Sequence, residues 1–147
     1  MSSNFRHVAL IGKYQAQGIR PLLEDIAQCL VRLGLEVSFD AATALNTGVT
    51  DYEALSTAQM GQRCDLAVVV GGDGAVRAAA AEAAHADVPL VHLPAGNENL
   101  FAREFEMTDD VDEVVRRLRH GVVRRVDLAS AAADGGPAET MVLMASI

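Results

Sequence analysis

Apolar residues along the chain follow two alternating rhythms. Short runs recur at residues 7–12 (HVALIG), 35–40 (LEVSFD), 65–70 (DLAVVV), 89–93 (PLVHL) and 122–128. These are dense or period-two runs bounded by turn residues, and they predict strands. Between them the spacing changes. Ile19, Leu22, Leu23, Ile26, Leu30 and Leu33 fall on one helical face, with Pro21 in the first turn and Gly34 as the stop. Residues 75–87 are alanine-rich and read as a second helix. Thr108 is expected to cap a third, running to His120 and Gly121, with Val111, Val114, Val115 and Leu118 turned inward. Short helical turns are expected at 41–45 and 56–61. Strands alternating with helices, and strands apolar enough to be covered on both sides, predict an α/β domain. Its form is a three-layer parallel sheet with helices on both faces.

Residues 129–138 (ASAAADGGPA) form a small-residue linker or hairpin turn. Beyond it, residues 139–147 (ETMVLMASI) read as a further strand. Such a strand needs neighbours on both edges. The expectation is therefore an α/β domain over 1–128, with 129–147 a linker and the first strand of a second structural unit. In-chain pairing of this strand against 122–128 would satisfy one edge. The other edge and the apolar face favour self-association, most simply a homodimer, with a frayed tail as the alternative.

Composition narrows the function classes. Twelve Lys and Arg against twenty Asp and Glu give a net charge of −8, which argues against nucleic acid or an anionic membrane as the main partner. Half of the 147 residues are hydrophobic and 22% are charged, which excludes a disordered chain. No apolar run is long enough for a transmembrane segment. Cys29 and Cys64 make no disulfide framework, so a reducing cytoplasm is expected.

The sharpest chemical signal follows the valine run: Gly71, Gly72, Asp73 and Gly74, at the carboxyl end of a central strand and the head of a helix. Glycines let backbone N–H groups approach a phosphate closely, and the helix start favours the anion. A carboxylate there would repel a phosphate unless it has work of its own. Taking a proton from a hydroxyl that attacks a phosphoryl group is such work. A tight turn built from ordinary turn residues is the bland alternative. A second loop, Pro94 to Asn99, lies at the end of the next strand. Lys13, just after the first strand, could touch a phosphate. The dinucleotide fingerprint fails at Arg77, and no P-loop is present. His7, His85, His92 and His120 lack metal-ligand spacing and read as structural or exposed, so no metal site is expected on the protein itself. Arg116, Arg117, Arg119, Arg124 and Arg125 read as a solvated face.

The strand, the Gly71–Gly72–Asp73–Gly74 turn and the helix resemble the superfamily joining NAD kinases to diacylglycerol and sphingosine kinases. Residues 1–74, with GQRCDLAVVVGGDG, resemble a bacterial NAD kinase. VPLVHLPAGNENLFAREF and the helix after it resemble the lipid-kinase branch better, so the two resemblances meet near Gly74 and Ala75. The resemblance implies an ATP-dependent kinase using Mg²⁺, with NAD as the first expected acceptor and a lipid as the alternative. It implies Asp73 as general base, with Gly71, Gly72 and Gly74 along the nucleotide phosphates. Asn97, Glu98 and Asn99 would form the facing loop, with Phe101 near the nucleotide. Ala75 stands where Thr is usual, and Asn97 where the lipid kinases have Thr. Both branches use a second β-rich domain, and only its first strand is matched here. The chain alone is therefore expected to be inactive. A rival of another class is a non-catalytic α/β module, natural or engineered.

Overall fold

The structure is a computed structural model that describes residues 5–12, 18–95, 98–137 and 139–141. Five parallel strands form the main sheet: β1 (His7–Gly12), β2 (Glu36–Asp40), β3 (Glu53–Leu55), β4 (Leu66–Gly71) and β5 (Leu90–Pro94). Their order is β3-β2-β1-β4-β5. Every residue of β4 is buried, and β4 lies between β1 and β5, so the valine run is an interior strand.

Side-chain alternation along β1 and β4 builds two cores. Val8, Leu10, Leu66, Val68 and Val70 face one side, against Leu23, Ile26 and Leu30 of α1 (Ile19–Arg32) and Val114 and Leu118 of α6 (Val111–His120). Ala9 packs on the other side with Met60 of α3 (Thr57–Arg63). Val69 packs there with Val76 and Ala79 of α4 (Asp73–Ala86) and with Phe101 of α5 (Leu100–Glu104). Period two in the strands thus yields the three layers. At the rim, α2 (Ala41–Thr47) starts on Asp40, whose carboxylate accepts the Thr43 N–H at 3.0 Å. Ser56 and Gln59 close a reciprocal capping box on α3.

Three expectations need correction. Residues 122–128 are not a strand: they form no ladder, and Val122, Val123 and Val126 are 89%, 58% and 45% exposed. β-branched residues favour extended backbone, but a strand also needs a partner edge. The small-residue segment takes the hairpin form of its two expected readings, joining β6 (Ala129–Ala131) to β7 (Glu139–Met141), which pair antiparallel. The in-chain partner of the last strand is therefore 129–131; residues 142–147 lie outside the described residues. Third, α6 is capped by Asp110, which accepts the Asp112 N–H, and not by Thr108. Two short elements, β3 and α5, carry no signal that the sequence pattern revealed.

Candidate functional site

The sheet order reverses direction between β1 and β4. In open parallel sheets that reversal opens a crevice beyond the carboxyl ends of the strands, where ligands bind. Gly12 ends β1 and Gly71 ends β4, so both flank the crevice. Gly12 is pinned by Thr43, whose buried hydroxyl accepts the Gly12 N–H at 3.0 Å. A cavity of about 450 Å³ runs from Gly12 and Gly74 between α3 and α4, walled by Met60, Ala75, Ala78 and Ala79.

At the end of β4 the chain turns sharply. Gly71 has φ +152°, in the region that favours glycine. Gly72 is the N-cap of α4 and offers no side-chain cap to the first N–H groups of this 14-residue helix. A Cβ placed on Gly74 would meet nothing within 4 Å, so the space in front of this turn is open. Exposed donors, a helix start and open space are the elements of an anion site.

Asp73 is the first residue of α4. Its Oδ2 accepts the Leu100 N–H at 3.0 Å and its Oδ1 accepts the Phe101 N–H at 3.2 Å. The carboxylate therefore holds the start of α5 and is itself fixed in direction. Each oxygen keeps a second acceptor position. One carboxylate thus has a structural role in the turn and, among the described residues, lone pairs left over for proton transfer.

Of the other residues singled out in the sequence, Gly71, Gly72, Gly74 and Asp73 stand together at this turn. Asn99 is brought to it as the N-cap of α5, with φ +54°. Glu98 is exposed beside it. Lys13 and Asn97 lie outside the described residues. Phe101 stands at the same turn through its backbone. Its ring is 8% exposed and belongs to the core with Val69 and Val76, so it brings the site its backbone N–H and not an open aromatic face.

Sequence reasoning missed His92. Its ring is fully buried, and Nε2 lies 2.6 Å from the Gly71 carbonyl oxygen. Burial pushes its pKa below the usual histidine value, opposed by the bond to Gly71 and the charge of Asp73. The available signal was a single polar residue inside an apolar strand, but it did not reveal which carbonyl the ring would meet. At the other helix-strand junction, burial pushes the Cys64 thiol up to about 11. Among the described residues no group of three His, Cys, Asp or Glu side chains could hold a metal ion. Asp73 supplies carboxylate oxygens, the kind of donor that Mg²⁺ takes.

Comparison with known proteins places this geometry. Residues 16–131 match the diacylglycerol kinase catalytic domain. The chain is 44% identical over 135 residues to an NAD kinase of Methylibium petroleiphilum, a match covering 85% of this chain and 45% of that protein. It is 53% identical over 96 residues to an NAD kinase of Polaromonas naphthalenivorans, covering 65% of this chain and 33% of the relative. The chain thus spans less than half the length of these curated relatives. In fold it resembles the crystal structure of yeast NADH kinase complexed with NADH. That likeness has a TM-score of 0.50 at 12% identity, covering 80% of this chain and 40% of the other. The family match and the Methylibium match both cross residues 74 and 75, so each resemblance reaches both halves. The chain belongs to the diacylglycerol kinase catalytic domain family, within the superfamily that includes the NAD kinases.

Proposed function

We propose that this chain forms the nucleotide-phosphate side of an ATP-dependent kinase that phosphorylates a hydroxyl, with NAD as the acceptor. The observation that carries the reading is Asp73, held by two backbone N–H groups beside the uncapped start of α4. In this reading the N–H groups of the Gly72–Gly74 turn bind the ATP phosphates. Asp73 takes the proton from the acceptor hydroxyl as its oxygen bonds to the γ-phosphorus, and the bond from that phosphorus to the bridging oxygen breaks to release ADP. Mg²⁺, when bound, neutralises charge on the phosphates. NAD is favoured over a lipid by the identity to two named NAD kinases. The lipid-kinase reading draws support from the family match. Glu98 and Asn99, with Asn97 and Lys13, are proposed to line the nucleotide. A cytoplasmic setting and self-association through residues 139–147 belong to the same proposal.

The test is a chimera in which this chain replaces the matching part of the Methylibium NAD kinase. NAD phosphorylation that is lost in Asp73→Asn supports the reading. A chimera that phosphorylates diacylglycerol and not NAD would transfer it to the lipid branch. Turnover unaffected by Asp73→Asn would overturn it.

A further inference from the structure

A histidine inside an edge strand of a parallel sheet is an expensive residue. Valine or isoleucine would fill the same place without a polar ring to satisfy. His92 is fully buried, and among the described residues its Nδ1 has no hydrogen-bond partner. Buried polar atoms without partners are few in native proteins, and each calls for a reason. The reason here is on the other nitrogen. A carbonyl oxygen can only accept, so Nε2 carries the proton and donates to Gly71 at 2.6 Å. That choice of tautomer leaves Nδ1 bare. The same carbonyl also accepts the Ala95 N–H at 2.9 Å. Both lone pairs of Gly71 are therefore used, at the residue where the chain leaves β4 with φ +152°.

The contacts close into a ring. His92 holds Gly71, and two residues later Asp73 accepts the Leu100 and Phe101 N–H groups. The Phe101 ring returns to His92, with centroids 6.0 Å apart. The Met107 sulfur accepts the His92 backbone N–H at 3.3 Å, tying in the segment after α5. The imidazole thus touches both the start of the turn and the helix that Asp73 holds.

We infer that His92 is a positioning residue: as the neutral Nε2–H tautomer it fixes the Gly71 carbonyl and, through it and Phe101, the direction of the Asp73 carboxylate. This rests on the reading of Asp73 as the functional carboxylate, but its test needs no nucleotide and no turnover. Failure of the kinase reading would leave the measurements below unchanged.

Two measurements on the 147-residue chain decide it. In the wild type, nitrogen-15 shifts of His92 at neutral pH should report a protonated Nε2 and an unprotonated Nδ1; the reverse tautomer or a doubly protonated ring would overturn the inference. Hydrogen exchange then separates positioning from bulk packing. In His92→Leu the Leu100 and Phe101 amides should exchange roughly tenfold faster, the equivalent of one lost hydrogen bond, while amides of β1 and β2 keep their rates. His92→Gln, which retains a donor near the Nε2 position, should restore slow exchange. Unchanged exchange in His92→Leu, or equal acceleration in the leucine and glutamine variants, would make His92 a packing residue only. Should His92→Leu not fold, the wild-type tautomer and the His92→Gln rates still decide.

Discussion

The two ends of β4 use the same devices to different effect. Just before the strand, Asp65 accepts the Arg6 N–H at 2.9 Å and the His7 N–H at 3.0 Å. At the head of the following helix, Asp73 accepts two backbone N–H groups in the same way. Each end also buries a histidine. At the amino edge His7 has polar neighbours on both sides: Nε2 bonds Ser38 Oγ at 2.7 Å, and Nδ1 lies 3.8 Å from the Glu36 carboxylate. Arg63 braces the same edge, paired with Glu53 at 2.8 Å. At the carboxyl edge His92 keeps a bare nitrogen, the turn is made of glycines, and the helix above it has no side-chain cap. A closed polar cluster stabilises. An open one, with donors and a directed carboxylate facing empty space, is equipped to bind. The difference supports the carboxyl edge as the proposed site without appeal to any relative.

The largest expected effect tests this contrast between the two aspartates. Asp73→Asn should lower phosphoryl transfer by the chimera roughly 10²–10⁴-fold, the usual contribution of a general base. Asp65→Asn should leave transfer intact and lower the denaturation midpoint. A kinetic loss in Asp65→Asn as large as that in Asp73→Asn would erase the distinction between the edges.

Ser38→Ala sharpens it on the histidine side. The change strips His7 of its buried partner at a site with no exposure. A loss of about 1–3 kcal/mol in urea unfolding is expected, the cost of an unsatisfied buried group. Nucleotide affinity should not change.

Acid separates His92 from its surroundings by a smaller amount. The folded pKa of His92 lies below the ordinary 6.5, so between those two values the unfolded chain binds more protons than the folded one. The stability linked to this residue is complete above about pH 6.5 and is lost as pH falls toward the folded value. The wild type should therefore lose stability relative to His92→Leu as pH drops from 7 to about 5. Parallel pH profiles of unfolding for the two would remove the buried histidine from the account.

The smallest effect is chemical. Cys64 is 6% exposed and its thiol is held near 11, so it should label far more slowly at neutral pH than the half-buried Cys29. Peptide mapping after brief alkylation reads this directly.

What the sequence made legible follows from how local each determinant is. The buried strand β4 and the turn after it are written in consecutive residues, three valines and three glycines around one aspartate, so both the interior strand and the glycine turn at its end were readable. The α1 face was readable because six apolar residues repeat at helical spacing. Residues 122–128 misled because their valines satisfy a local rule, while the ladder that defines a strand depends on a distant edge. α5 is five residues long and starts on Asp73, twenty-seven positions earlier, so nothing nearby announces it. The role of His92 was hidden for the same reason: its partner carbonyl lies twenty-one residues away, across the β4–β5 pairing. Phe101 has its ring in the core and its backbone N–H at Asp73, because a short helix turned the ring inward.

The central claim is that the carboxyl edge at Gly72–Gly74 is where the nucleotide phosphates bind. Titrating MgATP into the nitrogen-15-labelled chain, with amide shifts followed residue by residue, tests it most directly. The account predicts saturable shifts at Gly72, Asp73 and Gly74, smaller ones at Leu100 and Phe101, and none at His7, Ser38 or Asp65. Shifts centred on the amino edge, or an unmoved glycine turn at millimolar nucleotide, would contradict it.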